Sequence, residues 1–548
     1  MGSRKAWEFS PWTSVVRRSI GCPLVAAAFI GLISAAALGQ QPEHGHGARA
    51  DTARVPMRVG PLGIPQTREA SGTSWLPDFS PMYAFHWRVG RWDLMLHGNA
   101  FLYYIDEGSD RGDEDFGSIN WIMAMARRAA LGGELGARVM LSAEPATIGE
   151  CGYPDLLATG EFCDELGFLH DRQHPHDLFM ELAAEYERAI SDDLALQLYG
   201  GLAGEPALGP VGYPHRLSAL PNPFAPITHH WQDATHIVFG VVTAGLFTRN
   251  WKLEGSLFNG REPDENRWDL DLDALDSYSG RLWYADQRWA LQLSGARLTE
   301  AELHEIGGER ESLNRYTASA TYHHPLGRQG FWATTAVWGR NDEEEASTDS
   351  FLLESAIDLD GRNLFYGRGE VVEKTGGDLV LEVEELEDAV FTVGKVSVGY
   401  TRQFGPYAGL LPGLGAAAAL SFIPDNLEPF YDTNVAFGWS VFASLRPEPM
   451  RMHEAPAPPP ERHHGDHRPR GSGEYRPESA TRSDLPRRSP GSWKRADRQR
   501  ATDLPERLRG YFWDHAAEHL AWEGGRHTIV LRLLQSGGMD ACGGSGNP

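Results

Sequence analysis

Residues 316–322 read Tyr316-Thr317-Ala318-Ser319-Ala320-Thr321-Tyr322. Side chains of an extended strand change face at every residue. Tyr316, Ala318, Ala320 and Tyr322 therefore share one face, and Thr317, Ser319 and Thr321 share the other. The same period recurs elsewhere. Trp289, Leu291, Leu293 and Gly295 oppose Ala290, Gln292 and Ser294, and Trp251, Leu253, Gly255 and Leu257 oppose Lys252, Glu254 and Ser256. Leu194, Leu196 and Leu198 oppose Ala195, Gln197 and Tyr199. Aromatic residues gather near the segment ends, among them Trp92, Tyr104, Trp251, Tyr284, Trp289, Trp332 and Tyr400. Rings at both ends of an apolar stripe suit the two interfaces of a membrane.

The period predicts about sixteen strands, an even number as single-chain bacterial barrels have. They start near Trp92, Phe116, Glu134, Asp177, Leu194, His236, Trp251 and Ser277, then near Trp289, Arg315, Phe331, Ser350, Asn363, Phe391, Leu414 and Val435. Short breaks such as 131–133, 248–250 and 286–288 alternate with long ones at 105–115, 145–176, 203–235, 260–276, 298–313, 341–349, 373–390 and 424–434. One break on the short side, 403–413, is longer than the pattern prefers. Lipid offers no partner for an unpaired backbone N–H, so such a sheet has to close on itself. The expected fold is all-β: a transmembrane antiparallel up-and-down β-barrel. Short turns belong in the periplasm and long loops outside the cell.

Composition agrees. The formal net charge is -25, and much of the acid lies in the expected outer loops, at 106–115, 262–276, 342–345 and 382–388. So acidic a surface makes nucleic acid an improbable partner. Residues 1–40 read as a signal peptide, with Arg17-Arg18 ahead of an apolar run from Cys22 to Leu38. Residues 41–74 read as a disordered lead, 75–450 as the barrel, and 451–548 as a disordered Pro/Arg-rich tail. Of the four cysteines, Cys22 leaves with the signal and Cys542 has no evident partner. Cys151 and Cys163 flank a short piece of the second outer loop and are expected to pair after export.

Two loops stand apart in chemistry. The second carries His170-Asp171-Arg172-Gln173-His174-Pro175-His176-Asp177, and the third carries His215-Arg216 and His229-His230-Trp231-Gln232-Asp233-Ala234-Thr235-His236. Imidazole is a common ligand for copper, zinc and nickel, and neighbouring carboxylates fix its tautomer. The candidate metal ligands are His170, His174, His176, Asp177, His215, His229, His230, Asp233 and His236, with His174/His176 and His230/His236 as pairs that could share an ion. The reading preferred for the same histidines, with Asp171, Arg172, Arg216 and Asp233, is a hydrogen-bonded plug that narrows the barrel. Glu262-Pro263-Asp264-Glu265-Asn266 and 269–276 have calcium-loop composition without the glycine and terminal glutamate of a calcium hand. By strand parity, Asp93, His97, Asn99, Lys252, Glu254, Arg281, Arg368 and Glu370 line the lumen.

The layout resembles the porin-like outer-membrane barrels of Gram-negative bacteria. Asp171 to Leu182 and Phe258 to Glu265 in particular resemble segments of an uncharacterised family of outer-membrane proteins. The resemblance implies the fold and the location but no substrate. The Ser, His and Asn constellation of outer-membrane phospholipases is not found, and no enzyme is expected. The leading expectation is a channel for small polar or cationic solutes, since barrels of sixteen strands and more leave an aqueous channel. The alternative is a protein that binds and handles copper or zinc through its histidine loops. No cofactor is required by the first reading. The expected partners are outer-membrane lipid, small solutes or metal ions, and the barrel-assembly machinery, with the oligomeric state left open.

Overall fold

The computed structural model describes residues 60–450, apart from 164–166, 303–309, 328 and 345. The expected signal peptide, the first part of the lead and the tail lie outside the described residues.

Sixteen long strands form the barrel wall. The first eight are β1 (Trp92–Glu107), β2 (Glu114–Ala130), β3 (Gly133–Leu141), β4 (Phe179–Ala189), β5 (Ala195–Ala203), β6 (Val241–Phe247), β7 (Trp251–Phe258) and β8 (Ser277–Ala285). The second eight are β9 (Trp289–Glu302), β10 (Glu311–Leu326), β11 (Gly330–Asp342), β12 (Ser347–Asp358), β13 (Asn363–Lys374), β14 (Phe391–Gln403), β15 (Leu410–Phe422) and β16 (Val435–Pro447). Each pairs antiparallel with the next, and β1 closes on β16 from Ala100 opposite Leu445 to Glu107 opposite Gly438. Every wall strand thus has two neighbours, as lipid demands of backbone groups.

The seam holds one element not expected from the sequence. Phe85–Val89 folds back through Gly90 (φ 61°) and pairs with the first residues of β1, Val89 opposite Trp92 and Phe85 opposite Leu96. It completes the edge of β1 below the point where β16 takes over. Two of the expected boundaries that move have a local cause. The strand expected near His236 begins at Val241, because residues 229–236 wind into a short helix and a 3-10 turn. The long turn expected at 403–413 shortens, because Ala408 and Gly409 adopt positive φ and let β15 start at Leu410.

The outward face is apolar. Leu198, Val242, Leu253, Leu257, Leu291, Leu293, Phe351 and Leu353 are all exposed. Aromatic pairs ring the short-turn end, with centroids 5.0 Å apart for Trp251 and Tyr284, 4.8 Å for Trp289 and Tyr322, and 4.9 Å for Phe365 and Tyr400. Water would not tolerate so continuous an apolar surface, whereas a bilayer requires it. The chain is an outer-membrane β-barrel with its short turns at one end and its long loops at the other.

The lumen is filled from both ends. Residues 60–74, expected in a disordered lead, instead fold inside the barrel. Their polar groups find partners on inward-facing wall residues. Arg127 reaches Glu69 at 2.7 Å, Arg138 donates to the Gly72 carbonyl at 2.7 Å, Lys252 donates to the Thr73 carbonyl, and Arg281 donates to Thr73 Oγ1 at 3.1 Å. Asp78 and Phe79 then bond the turn residues Asp286 and Gln287 through their backbones, at 3.0 and 2.9 Å. The lead looks disordered in sequence because it has neither strand nor helix period, and wall charges on distant strands supply its order. From the other end, the loops 142–178 and 204–240 fold inward.

Candidate metal centre in the lumenal loops

Wall charges decide how the two loops sit. Arg216 is 1% exposed and bridges two carboxylates, donating to Glu354 on β12 at 2.7 Å and to Asp233 in its own loop at 2.6 Å. Trp231 Nε1 donates to Thr348 Oγ1 at 2.7 Å, and Arg368 donates to the Phe224 carbonyl at 3.0 Å. The loop 142–178 is held by Lys395, which bridges Glu107 at 2.6 Å and Asp155 at 2.7 Å, and by Lys374 on Thr159 at 2.8 Å. A disulfide joins Cys151 to Cys163. A buried charge is tolerable only when it is paired and hydrogen-bonded, so these pairs fix the loops to the wall.

Of the residues assigned to the lumen wall by parity, Asn99, Lys252, Glu254, Arg281, Arg368 and Glu370 are buried, and they meet these insertions. Lys252 and Glu254 lie 3.5 Å apart, and Arg281 contacts Glu254 at 2.9 Å and Glu205 at 3.2 Å. Arg368 reaches Glu354 at 3.2 Å, and Glu370 accepts from Thr228 Oγ1 at 3.2 Å. Asn99 approaches the Leu220 carbonyl at 3.5 Å. Asp93 pairs with Arg88 of the seam strand at 2.6 Å.

The histidines sort into three places. His174 and His230 meet Glu161 and Glu262. The His174 Nδ1 bonds Glu161 and lies 4.0 Å from Glu262, and His230 Nε2 lies 3.4 Å from the other oxygen of Glu161. Ligand atoms of Glu161, His230 and Glu262 all lie within 4.8 Å of one another. One imidazole and two carboxylates thus converge, with the His174 ring bonded to Glu161 beside them. Burial lowers the His174 pKa to about 4, working against the raising effect of Glu161, so its ring is neutral at physiological pH. Glu161 is held below the usual carboxylate range by His174 and His230, which outweigh its burial.

The second group surrounds Tyr213. His236 lies with its ring centroid 5.4 Å from His176 and 5.2 Å from His229. Each has its Nδ1 beside an oxygen: His176 at Glu144 (2.9 Å), His229 at Asp233 (2.8 Å) and His236 at the Asp233 carbonyl (2.7 Å). A ring whose Nδ1–H is engaged presents its Nε2 lone pair, and His236 Nε2 is buried without a hydrogen bond. Burial keeps the pKa of His236 well below the ordinary histidine value. A cavity of about 50 Å³ touches both groups and is lined by His174, His176, His230, His236, Glu262 and Arg267.

The expected pairings within each motif are therefore replaced by pairings across loops. His174 and His176 flank Pro175 and would share a face in a regular strand, but residues 174–177 are not in a strand and the two rings turn apart. His174 turns to His230, and His176 turns to His236. His170 lies at the rim, 3.0 Å from Asp171 and half exposed. Asp177 faces Arg267 at 3.5 Å, and Asp233 is committed to Arg216 and His229, so neither joins the convergent set. His215 sits apart, beside Trp121 and His97. Asp264, Asp269 and Asp271 of the acidic loop also approach one another, on the exposed surface.

Sequence reading missed Glu161, Glu262 and Tyr213. Glu262 was visible only as one acid in an acidic run, and Glu161 stands near Cys163 with no motif to mark it. Their roles depend on three loops meeting.

No family model and no curated protein matches this chain. Among solved structures, it is similar to Salmonella typhi OmpF in complex with daunomycin, at 9% identity and TM-score 0.40 over 66% of this chain and 100% of that one. An anion-selective porin from Comamonas acidovorans aligns at 11% identity and TM-score 0.39, over 66% and 100%. The channel DcaP of Acinetobacter baumannii aligns at 9% and 0.38, over 67% and 100%. At such identities no residue and no solute transfers to this chain.

Proposed function

We propose that this porin-like barrel is an outer-membrane conduit that binds a divalent transition-metal cation in its lumenal loops. The observation that carries the reading is the convergence of Glu161, His230 and Glu262, with His174 bonded to Glu161, beside a small cavity inside the barrel mouth. One nitrogen and two carboxylate oxygens, with the His174 imidazole adjoining, suit Zn(II), Cu(II) or Ni(II), and the acidic outer loops raise the local concentration of cations. The loops fill the lumen, so passage of any solute requires them to move. A metal bridging 161, 174, 230 and 262 would tie loops 142–178, 204–240 and 259–276 together, which couples binding to gating.

The test is calorimetric titration of the full chain in detergent with Zn(II) and, separately, Cu(II). The double variant His174→Ala/His230→Ala is expected to weaken binding at least about a hundredfold, since the imidazole of the convergent group and the one adjoining it are gone. Unchanged binding would reject the reading. Metal-independent ohmic steps in a planar bilayer would favour a general channel for small polar solutes instead.

A further inference from the structure

The chain between residues 60 and 450 contains seven methionines, and all seven fall in one cluster. Met95, Met123, Met125, Met140 and Met180 are buried in it, and Met82 and Met450 pack at its edge. The other apolar clusters among the described residues contain none. Met82, Met95, Met123 and Met125 line a cavity of about 100 Å³ together with His97 and His215.

Strand register explains how they meet. Met95 on β1 stands opposite Met125 on β2, and His97 stands opposite Met123. Directly opposed residues of antiparallel strands have Cβ atoms about 5 Å apart. Parity turns all four inward, and they form a patch of three thioethers and one imidazole. His215 comes down from the loop 204–240, its ring centroid 5.8 Å from His97 and 4.9 Å from Trp121. The Nε2 of His97 is buried and makes no hydrogen bond. A buried nitrogen without a partner is costly, and an explanation is owed for it.

Methionine also serves simply to fill irregular gaps in cores. Leucine would fill this one as well, and the rest of the interior uses leucine, valine and aromatics for that purpose. What leucine lacks is a donor atom. Thioether sulfur is soft and uncharged, binds hard divalent cations poorly, and selects monovalent soft metals.

We propose that this cavity is a second metal site, which takes a monovalent soft cation of the Cu(I) or Ag(I) class through Met95, Met123, Met125 and His97, with His215 beside them. Its donors share no residue with the group at Glu161, so it stands whether or not that group binds metal. It lies against the first half of β1, towards the short-turn end, whereas the nitrogen–oxygen group lies on the long loops. Ligand chemistry thus changes along the lumen from nitrogen and oxygen to sulfur. The site receives its cation already monovalent, and no electron transfer is involved.

Ag(I) is the probe, because it is redox-inert under the assay conditions. The full chain, with Cys22→Ser and Cys542→Ser so that no free thiol competes, is titrated in detergent and the silver environment is read by X-ray absorption. Wild-type methionines are expected to give one tightly bound Ag(I) with a sulfur-dominated shell. The volume-conserving variant Met95→Leu/Met123→Leu/Met125→Leu should weaken it about a hundredfold, and Met125→Leu alone about tenfold. The single variant keeps the proposal testable if the triple one does not fold. His174→Ala/His230→Ala should leave Ag(I) affinity as it was, which separates this site from the outer one. Ag(I) binding that is equally tight in Met125→Leu and the folded triple variant, or a shell without sulfur, would overturn the proposal.

Discussion

Replacing Arg216 by methionine tests whether the loop 204–240 is a fixed part of the barrel or an element poised to leave it. The side chain is 1% exposed and bridges Glu354 of the wall to Asp233 of the loop at 2.7 and 2.6 Å. Removing one partner of a buried ion pair costs about 3–5 kcal/mol, chiefly because the remaining charge is stranded. Here the stranded carboxylates keep some company. Glu354 retains Ser218 at 2.9 Å and Arg368 at 3.2 Å, and Asp233 retains His229 at 2.8 Å and the Tyr213 amide at 2.9 Å. The low end applies, about 3 kcal/mol, which shifts the docked-to-undocked ratio of the loop by about two decades. Two readouts follow it. Single-channel recording of the refolded full chain should show steps that are larger or open more often than in the wild type. Trp231, whose indole bonds Thr348, should become accessible to a collisional quencher. Arg216→Lys keeps the charge but loses the forked geometry and should fall between the two. If Arg216→Met leaves conductance and quenching as they are, Arg216 does not hold the loop in place and the gating account is wrong.

Further outcomes follow from other contacts. Burial raises the Glu205 pKa to about 7, more than Arg281 and the serines beside it lower it. A carboxyl raised above its unfolded value of about 4.5 contributes most below that value, and the contribution fades as pH climbs through the folded pKa. Denaturant stability should therefore fall by up to about 3 kcal/mol between pH 4.5 and 7. Glu205→Gln should flatten that slope, and an unaltered slope would assign the pH dependence to another group. Reducing the Cys151–Cys163 bond removes up to about 3 kcal/mol of loop constraint in the chain-entropy model. Proteolysis within 142–178 should then accelerate while the heat-modified gel mobility of the barrel is kept. Leu293 is 58% exposed on the outer face, and Leu293→Arg should cost about 2–4 kcal/mol of folding into vesicles near the bilayer midplane. A vesicle-folding midpoint equal to that of the wild type would place Leu293 outside the lipid-facing belt.

Much of the wall was legible because its determinants are local. The two-residue period of 316–322 survives in β10, where Thr317, Ser319 and Thr321 are buried and Tyr316 is exposed. Strand starts at Trp92, Trp251, Ser277, Trp289, Asn363, Phe391 and Val435 coincide with the expected ones. Parity alone decides which face of such a strand meets lipid. The alternation of short turns and long loops follows from the same walk up and down the barrel.

What the period cannot encode is where aperiodic segments go. Residues 60–74 look like a solvated lead until Arg127, Arg138, Lys252 and Arg281 are brought round them by four different strands. The histidines announce themselves as ligand types, yet which of them meet was settled only by the loops. His174 finds His230 and Glu161, and His176 finds Tyr213 and His236, because partners distant in sequence are drawn together by buried charge pairs such as Arg216 with Glu354. The methionine cavity has the same origin, since Met95 and Met125 become neighbours through strand register. Period and composition set the barrel, its face to the membrane and the chemical types in its loops. Closure of the sheet and the pairing of buried charges decided everything inside it, because those contacts join residues that no local pattern relates.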